Sequence, residues 1–584
     1  MPIGSTRTYL SSLITPILQN EFALTVVPEL ERPANAEHGD YSTNIALTTF
    51  KHLRSEQRQN YSSPRQFADA LCSSLRGQLP AAFISDINVA GPGFINFSLS
   101  QNYLFEYISS VVDGRLSEKV KQLEYQEKVA IVEYSSPNIA KPFTIGHLRS
   151  TIIGNAMANI LSSLGYTVYR DNHLGDWGTQ FGKQIYAMLN IPLDPTGQRS
   201  NEEIISTSTE PVKELVQLYV EFHKLAEEKP EIEEEARAWF KRLEEGDAEA
   251  RRLWQMCIDW SLKEFQQIYE RLGITFTEND GKGYGESFFE DKMGPVLEEL
   301  KHNGLLQESE GAQLVFLEEE KLPPLMVVKK DGATLYATRD LATDTFRKNY
   351  TERYGNEPLI INEVGAEQAE YFQQLFAVEQ RLGWFNPGQR VHLKHGHFRF
   401  EDKKMSTRKG NVIWLADVLD EAVKRAEGNE VIGLGALKWN DLKRSAHLDV
   451  VFNWDEILSM DGNSGPYMQY AYTRCQSILR KADQESITLP DDGKHSLDEV
   501  ERGLARVLIQ YPEVVSRAGS EYAPHYICTY LFELAQEFNH FYHQRSVLQS
   551  SGVEQQVRLS LTKSVAETLQ HGLGLLGIDV PEKM

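Results

Sequence analysis

The sequence predicts an α/β protein in which a parallel sheet with covering helices stands between a smaller α/β unit and an all-α segment. Apolar runs typical of buried parallel strands alternate with helical patterns, first at Val129 and then in the run that begins at residue 167. The alternation returns near residue 325 with LMVVKKDG, LIINEVGAEQ and VHLKHGHF. From about residue 460 the periodicity is almost wholly helical, and 584 residues suit three or four domains of ~150 residues each.

These patterns predict three domains. The first, 1–115, is an α/β domain that closes on a strand in the run DINVAGPGFINFSLS. The parallel-sheet domain covers 125–459 and carries a helical insertion at about 190–300, where apolar residues recur at helical spacing among acidic ones. The last domain, 460–584, is helical. Individual helices are expected at 6–20, 64–77 and 146–164.

Charge and cysteine usage limit the classes of function. The formal net charge is −23, from 60 basic and 83 acidic residues, so local basic patches would have to hold any polyanionic partner. The four cysteines lie far apart without a C-x-x-C pair, which argues against a thiolate zinc site or a disulfide framework and fits a reduced compartment. The N-terminus indicates an amphipathic helix rather than a signal peptide, and no apolar run approaches the ~18 residues of a membrane span. We therefore expect a cytoplasmic protein without a membrane partner.

The first strand-to-helix turn carries an unusual set of residues. KVAIVEYSSPNIAKPFTIGHLRSTIIGNAMANIL, 128–161, passes from a strand to a helix through two prolines, Lys141, Gly146 and His147. The free N–H groups and the dipole at a helix N-terminus favour an anion, and Gly146 would let a flat ring or a phosphate approach the backbone. The alternative is an ordinary turn with chance polar residues.

A second stretch strengthens the phosphate interpretation. FEDKKMSTRKGNVIWL, 400–415, contains a basic loop that ends in a glycine, defined here as residues 403–410. Lysine acts as a point charge on phosphate, so such a loop can clamp a polyphosphate. Taken alone, it is as consistent with a solvated surface turn.

Together the two stretches resemble the paired nucleotide motifs of class I aminoacyl-tRNA synthetases. TIGH, 144–147, is similar to the HIGH motif with Thr144 in place of the first histidine, and KMSTR, 404–408, is similar to KMSKS with Thr407 in place of the second lysine. The run VEYSSPNIAKPF before the first motif resembles arginyl-tRNA synthetases specifically. Four further runs fit that family in the same order: NHLGDWGTQFGK, DGATLYATRDLAT, VGAEQAEYF and GNSGPYMQYAYTR.

The resemblance implies a Rossmann-like catalytic domain, an N-terminal tRNA-binding domain and a C-terminal anticodon-binding bundle. It implies activation of L-arginine with ATP to arginyl-adenylate and pyrophosphate, followed by transfer of arginine to the 3′ end of tRNA(Arg). A guanidinium needs planar carboxylate partners, which Glu133 and Asp340 would supply. A salt bridge to a neighbour such as Arg170 or Arg339 is the alternative for each acid. The implied arginine-binding residues are Glu133, Ser136, Asn138, His147, Tyr336, Asp340 and Gln368.

The activation step needs positioning and charge stabilisation more than acid–base groups. The resemblance implies ATP contacts from Thr144, Gly146, His147, Lys404, Met405 and Ser406. Lys141, His147, Lys404, Arg408 and Lys409 are the candidates for stabilising the phosphorus and the departing pyrophosphate, and the sequence does not choose which basic residue replaces the missing second lysine. Mg²⁺ would arrive as a co-substrate with ATP, held by phosphates rather than by a protein cage.

One stripe of the helical domain suits contact with tRNA. Tyr467, Tyr470 and Arg474 fall at i, i+3 and i+7; tyrosines stack on unstacked bases and arginine binds phosphate or base edges. On spacing alone a core stripe is the better interpretation, and the resemblance favours anticodon contact, with Met584 nearby. Phe94 and Asn96 fit the family's contact to the outer corner of the tRNA.

Other interpretations were weighed against this one. His392, His395 and His397 make a metal site conceivable, but no further ligand has convincing spacing, so no structural metal is expected. A different nucleotidyl transferase would lack the helical domain with its Tyr/Arg stripe. An inactive tRNA-binding relative is supported only by Thr144 and Thr407. The sequence thus predicts a monomeric enzyme whose partners are tRNA(Arg), arginine and ATP.

Overall fold

The computed structural model describes residues 5–33, 35–53, 58–330, 336–400, 413–482 and 496–584. Twelve strands in the described residues are numbered in chain order. They are β1 Tyr41–Thr43, β2 Ile84–Ala90, β3 Phe94–Leu99, β4 Val129–Glu133, β5 Thr167–Asp171, β6 Gln307–Ser309, β7 Ala312–Leu317, β8 Leu322–Val328, β9 Leu359–Gly365, β10 Arg390–His395, β11 Phe398–Phe400 and β12 Val450–Phe452.

The N-terminal part packs helices against a small antiparallel sheet of order β1-β3-β2. Its helices are α1 Thr6–Phe22, α2 Ile45–Thr49, α3 Pro64–Gln78, α4 Gln101–Val112 and α5 Leu116–Val120. Helix α3 begins where Ser63 caps the chain just before a proline, and Phe67, Leu71 and Leu75 form its buried face. The helices expected at 6–20 and 64–77 are therefore present with ends shifted by one or two residues.

A four-stranded parallel sheet of order β10-β9-β4-β5 forms the centre of the molecule. Ala130, Ile131 and Val132 of β4 are fully buried, as the apolar run predicted. The long helix α6, Ile145–Leu164, connects β4 to β5 on one side, whereas β9 leads to β10 on the other. The chain direction across the sheet thus reverses between β4 and β9, and the crevice at their carboxyl ends is where such sheets bind ligands.

A largely helical insertion separates β5 from β9. Its helices are α7 Gln180–Asn190, α8 Asn201–Thr207, α9 Pro211–Glu228, α10 Ile232–Glu244, α11 Ala248–Leu272, α12 Met293–His302, α13 Tyr336–Asn349 and α14 Thr351–Tyr354. The strands β6, β7 and β8 form a separate antiparallel sheet between α12 and α13. The strand–helix alternation returns near residue 325 as expected, but LMVV belongs to β8, which pairs with β7 in the antiparallel sheet; the parallel sheet resumes at Leu359.

The remaining helices complete the core domain and build the C-terminal part. They are α15 Ala369–Arg381, α16 Leu415–Arg425, α17 Glu430–Leu442, α18 Trp454–Ile457, α19 Gly465–Lys481, α20 Glu499–Leu508, α21 Tyr511–Ser520, α22 His525–Gln544 and α23 Gly552–Leu575. The described residues after 460 are helical, as the sequence predicted. Among the helices described, none is long and apolar enough to cross a membrane.

Candidate active site

The loop between β4 and α6 has a strained backbone. Ser135, Ser136 and Ala140 have φ angles of 73°, 45° and 55°, in the left-handed region that non-glycine residues rarely adopt. Such residues cost about 1–3 kcal/mol each and cluster at ligand sites. Ser135 N–H donates to Ser150 Oγ at 3.0 Å and Ser136 N–H donates to Asn172 Oδ1 at 3.0 Å. The surrounding structure therefore holds this loop in one shape.

His147 caps the start of α6. The N–H of Thr144 donates to His147 Nδ1 at 3.0 Å, so the neutral ring carries its proton on Nε2. Burial lowers the pKa of His147 to about 4. At neutral pH His147 thus offers a hydrogen-bond donor and no charge. Gly146 stands in the same first turn, where an added Cβ would contact only the Thr144 hydroxyl, at 3.4 Å.

The basic loop, with Lys404, Met405, Ser406, Arg408 and Lys409, lies outside the described residues. The residues that follow it in sequence form backbone hydrogen bonds with the HIGH-like turn. Ile145 N–H donates to the carbonyl of Ile413 at 3.1 Å, and Leu415 N–H donates to the carbonyl of Phe143 at 2.9 Å. These bonds hold Ile413 and Leu415, which follow the loop in sequence, beside the first turn of α6.

A cavity of about 380 Å³ lies at the carboxyl ends of β4 and β9. Six of the seven predicted arginine-binding residues line it, and His147 is not among the lining residues. The six are Glu133, Ser136, Asn138, Tyr336, Asp340 and Gln368. The sequence did not single out several other lining residues, among them His173, Glu286, Asp344, Arg347, Asn362 and Tyr371.

The carboxylate of Glu133 already has hydrogen-bond partners within the protein. Arg347 donates to its Oε2, and Asn362 Nδ2 donates to its Oε1 at 2.9 Å. Burial alone would raise the pKa of Glu133, but Arg347, His173 and the hydrogen bond from Asn362 together outweigh it and lower the pKa to about 2. The alternative of a salt bridge therefore holds for Glu133, although its partner is Arg347, not Arg170 or Arg339.

Asp340 is differently placed. Within the described part of the chain no lysine or arginine pairs with it; Tyr371 donates to its Oδ2, and His173 Nε2 stands 3.9 Å from its Oδ1. Arg339, its neighbour in sequence, pairs with Glu286 and Glu290 instead. Desolvation raises the pKa of Asp340 to about 6. An ionised Asp340 is thus a carboxylate without a resident guanidinium partner, facing a cavity.

Acids outnumber cations around this cavity. Arg347 contacts Glu133, Asp171 and Asp344, and Arg390 contacts Asp344 and Glu379. The sequence contained a signal for part of this cluster, because Asp344 and Arg347 fall at i+4 and i+7 from Asp340 and so share its helical face. Pairing across more than 170 residues, as between Arg347 and Asp171, has no local signal.

The predicted histidine cluster does not converge. His392 Nε2 contacts the carbonyl of Val364 at 3.1 Å, His395 Nδ1 contacts Glu363 at 2.8 Å, and His397 faces Glu367. Among the described residues no group of three or more His, Cys, Asp or Glu is placed to hold a metal ion. Lys141 lines a separate small pocket with Gln180 and Gln184 of α7 and is not among the residues that line the cavity.

Comparison with known proteins places the chain in a family. The model of "tRNA synthetases class I (R), catalytic domain" matches residues 111–454. The chain belongs to the arginyl-tRNA synthetase family. The arginine–tRNA ligase of an Exiguobacterium species is 40% identical over 571 residues, covering 95% of each chain, and that of Clostridioides difficile is 39% identical with the same coverage. The chain is accordingly an aminoacyl-tRNA ligase that activates arginine and charges tRNA.

Two further family models match the flanking parts of this arginyl-tRNA synthetase chain. "Arginyl tRNA synthetase N terminal domain" matches residues 8–99, and "DALR anticodon binding domain" matches 468–584. The fold is shared with solved arginyl-tRNA synthetases of Plasmodium falciparum (TM-score 0.81, 23% identity, 100% of both chains) and Thermus thermophilus (TM-score 0.78, 24% identity, 99% and 100%).

Three of the four predicted tRNA residues of the helical domain of this synthetase meet at one groove of about 500 Å³. Tyr470, Arg474 and Met584 line it, together with Arg480, Lys481, Tyr542 and Lys583. Tyr470 and Met584 are each 43% exposed. Arg474 donates to Asn539 at 3.0 Å and lies 4.4 Å from the ring centre of Tyr542. The hydroxyl of Tyr467 accepts from Asn539 at 2.8 Å, so Tyr467 faces the helix packing.

The two predicted N-terminal tRNA residues occupy different environments on β3. Phe94 is 38% exposed, whereas Asn96 is buried and its Nδ2 donates to Asn88 Oδ1 at 3.3 Å. Of the two, Phe94 is the residue that can reach a partner without a rearrangement.

Proposed function

We propose that the cavity at the ends of β4 and β9 binds arginine with its guanidinium against Asp340. The supporting observation is that Asp340 is a cavity-lining carboxylate without a lysine or arginine partner among the described residues. Glu133 would act at longer range, since its oxygens are engaged by Arg347 and Asn362. Ser136, Asn138 and Gln368 would hold the α-amino and carboxylate end, and Tyr336, at the start of α13, would cover the aliphatic stem.

The activation step would take place beside the first turn of α6. There the arginine carboxylate attacks the α-phosphorus of ATP and pyrophosphate leaves. Neutral His147 would donate from Nε2 to a phosphate oxygen, with Thr144 and Gly146 forming the nucleotide floor and the basic loop supplying positive charge. Mg²⁺ would be held by the ATP phosphates, as is usual for this ion. The finer roles of Met405, Ser406, Arg408 and Lys409 stay predictions.

Exchange of labelled pyrophosphate into ATP tests this assignment. Arginine should drive exchange, whereas lysine and citrulline should not, because neither carries a guanidinium. The assay should be run with and without tRNA, because the comparison shows whether arginine activation requires bound tRNA. Exchange driven equally by lysine would contradict a guanidinium site at Asp340.

Arginine binding is expected to weaken below about pH 6. Desolvation raises the pKa of Asp340 to about 6, and a bound guanidinium would lower that pKa again by favouring the ionised carboxylate. The free protein then binds a proton that the complex lacks, so the dissociation constant for arginine should rise about tenfold per pH unit below the free pKa. Calorimetric titration at several pH values measures this slope. An Asp340→Asn variant should lack the contribution of Asp340 to this slope, and a wild-type constant that does not change down to about pH 5 would contradict the prediction.

We further propose that the groove of the helical domain contacts the anticodon of tRNA(Arg). Tyr470 would stack on a base, Arg474 would contact a base edge or phosphate, and Met584 would close the end of the groove. The cations Arg480, Lys481 and Lys583 line the same groove, which suits a polyanion despite the net charge of −23. Phe94 would contact the outer corner of the tRNA, with Asn96 in a lesser role.

Tyr470→Ala is expected to weaken tRNA binding by about 1–3 kcal/mol, the range for one lost base stack. The exposed ring of Tyr470 can be removed without opening a core cavity, so arginine-dependent kinetics at saturating tRNA should stay near wild type. Filter binding or calorimetry measures the effect. Tyr350→Ala removes a ring of similar exposure from the catalytic part and serves as the control. An equal loss of affinity for a tRNA that lacks its anticodon stem would indicate a merely structural tyrosine.

The domain limits at 1–115, 125–459 and 460–584, the monomeric state and the cytoplasmic location stay predictions. The four cysteines are free and buried, which supports a reducing compartment. Gel filtration with light scattering would test the monomeric state.

A further inference from the structure

His173 lines the arginine cavity with a fixed ring orientation. It belongs to the loop after β5, its side chain is 13% exposed, and its ring packs at 5.8 Å against Phe289. His173 Nδ1 lies 3.0 Å from the carbonyl oxygen of Tyr284. A carbonyl can only accept, so Nδ1 carries a proton in every protonation state of this ring. Nε2 is therefore the nitrogen that gains or loses the titrating proton.

Nε2 faces the cavity and the acids around it. Its distance to Asp340 Oδ1 is 3.9 Å, too long for a hydrogen bond, so neither atom satisfies the other. Charged groups face the ring from four elements: Glu133 on β4, Glu286 on the 3-10 helix Glu286–Lys292, Asp340 and Arg347 on α13, and Asp176 on the loop that holds His173 itself. Three of these acids stabilise a protonated ring and raise its pKa above the ordinary value, although burial opposes them.

We propose that His173 is a specificity-determining residue for arginine, whose neutral Nε2 accepts a guanidinium N–H beside Asp340, so that arginine entry displaces the proton that Nε2 holds in the free protein. This inference rests on the proposed arginine site. No covalent bond changes: the imidazolium proton passes to the buffer, and a hydrogen bond from the guanidinium replaces the N–H. In the free protein the surrounding acids favour the imidazolium, and the guanidinium of the substrate would take its place.

The paired acceptors of Asp340 and His173, at one end of the cavity, would discriminate against citrulline. Arginine presents N–H donors along every edge of its guanidinium, so it satisfies Asp340 and His173 together. The ureido group of citrulline has a carbonyl oxygen in place of one nitrogen. In either orientation of the ureido group, its oxygen would face the acceptor of Asp340 or His173, or would leave one of these acceptors without a donor. Sites built on such hydrogen bonds discriminate strongly against analogues that lack a required donor.

His173→Phe tests the inference, because phenylalanine keeps a ring against Phe289 but has no acceptor. We expect kcat/KM for arginine to fall about 10- to 100-fold, the cost of one hydrogen bond to a charged group. The KM for ATP should change less than about twofold, and preference for arginine over citrulline should narrow about tenfold or more. His302→Phe alters an exposed histidine of α12 and is the matched control.

Proton release on arginine binding is a measurement that a purely structural role of His173 would not affect. Calorimetric titration with arginine at pH ~7.5, in two buffers of different ionisation enthalpy, measures protons released per arginine bound. Asp340 is already ionised at this pH, so release from the wild-type protein should come from His173 and should vanish in His173→Phe. His173→Gln places an amide near the Nε2 position; we expect it to restore much of the arginine affinity without restoring proton release.

The outcomes separate this inference from the proposed site. Arginine kinetics and proton release at wild-type levels in a folded His173→Phe protein would overturn the inference, even if Asp340→Asn is impaired. If Asp340→Asn also behaves as wild type, Asp340 is not the guanidinium partner and that assignment of the proposed function fails as well. If the phenylalanine variant does not fold, proton release by the glutamine variant at the wild-type level would overturn the inference.

Discussion

Asp340→Asn is expected to lower kcat/KM for arginine by about 30-fold or more, because truncating one side of a desolvated charge pair costs about 2–5 kcal/mol. Asparagine keeps the size of the side chain and one acceptor, so the hydrogen bond from Tyr371 can persist while the charge is lost. ATP binding should change little, since Asp340 lies in the arginine cavity and not at the first turn of α6. Steady-state kinetics with arginine and ATP varied separately measure both effects.

Citrulline sharpens the same experiment. It is neutral where arginine is charged, so an asparagine at position 340 should discriminate against it less strongly than aspartate does. Asp113→Asn, in an exposed pair with Arg115, controls for a general effect of charge removal. Arginine kinetics within twofold of wild type in Asp340→Asn would refute the assignment and leave Glu133 as the main guanidinium partner.

Local patterns predicted most of the fold, and the exception has a physical cause. The runs at Val129 and Leu359 are buried parallel strands, that from residue 167 is a partly exposed parallel strand at the sheet edge, and the helix expected at 146–164 runs from Ile145 to Leu164. The run near 325 is apolar too, but in β8 Leu325 and Val327 are buried while Met326 is 42% exposed. That alternation, with Pro323 and Pro324 just before it, indicates a half-exposed edge strand and not a core strand.

The candidate site was predicted where its residues lie close in sequence. Spacing placed Tyr336 and Asp340 one helical turn apart, whereas Glu133, Ser136 and Asn138 were named from the family resemblance; all five line one cavity. The ionic partner and the protonation of each acid could not be predicted, because both depend on contacts between residues that are far apart in the sequence. Arg347 neutralises Glu133 over 214 residues of separation, and His173 meets Asp340 only through the packing of two elements.

We expect the basic loop to supply the positive charge that the described residues around the first turn of α6 do not supply. His147 is neutral at pH 7, because burial lowers its pKa to about 4. Arg149, on the next turn of α6, is buried against Asp441 at 3.0 Å and donates to two backbone carbonyls. Lys141 lies beside Gln180 and Gln184 of the insertion. Among the described residues near this turn no cation is free to meet the departing pyrophosphate, and Ile413 and Leu415, which follow the basic loop in sequence, are hydrogen-bonded to the turn.

Lys404→Ala should consequently slow arginyl-adenylate formation by about 10²- to 10³-fold, the usual loss when one group that stabilises transition-state charge is removed. Binding of tRNA should stay nearly unchanged, because the predicted tRNA groove lies in the helical domain. Single-turnover activation with tRNA present measures the chemical step apart from product release. Lys224→Ala removes an exposed lysine of α9 and serves as the control. Since Thr407 stands where a second lysine is usual, Lys404, Arg408 and Lys409 are the local candidates for stabilising the leaving-group charge. Activation at the wild-type rate in Lys404→Ala would show that the loop does not contact the phosphates in the transition state.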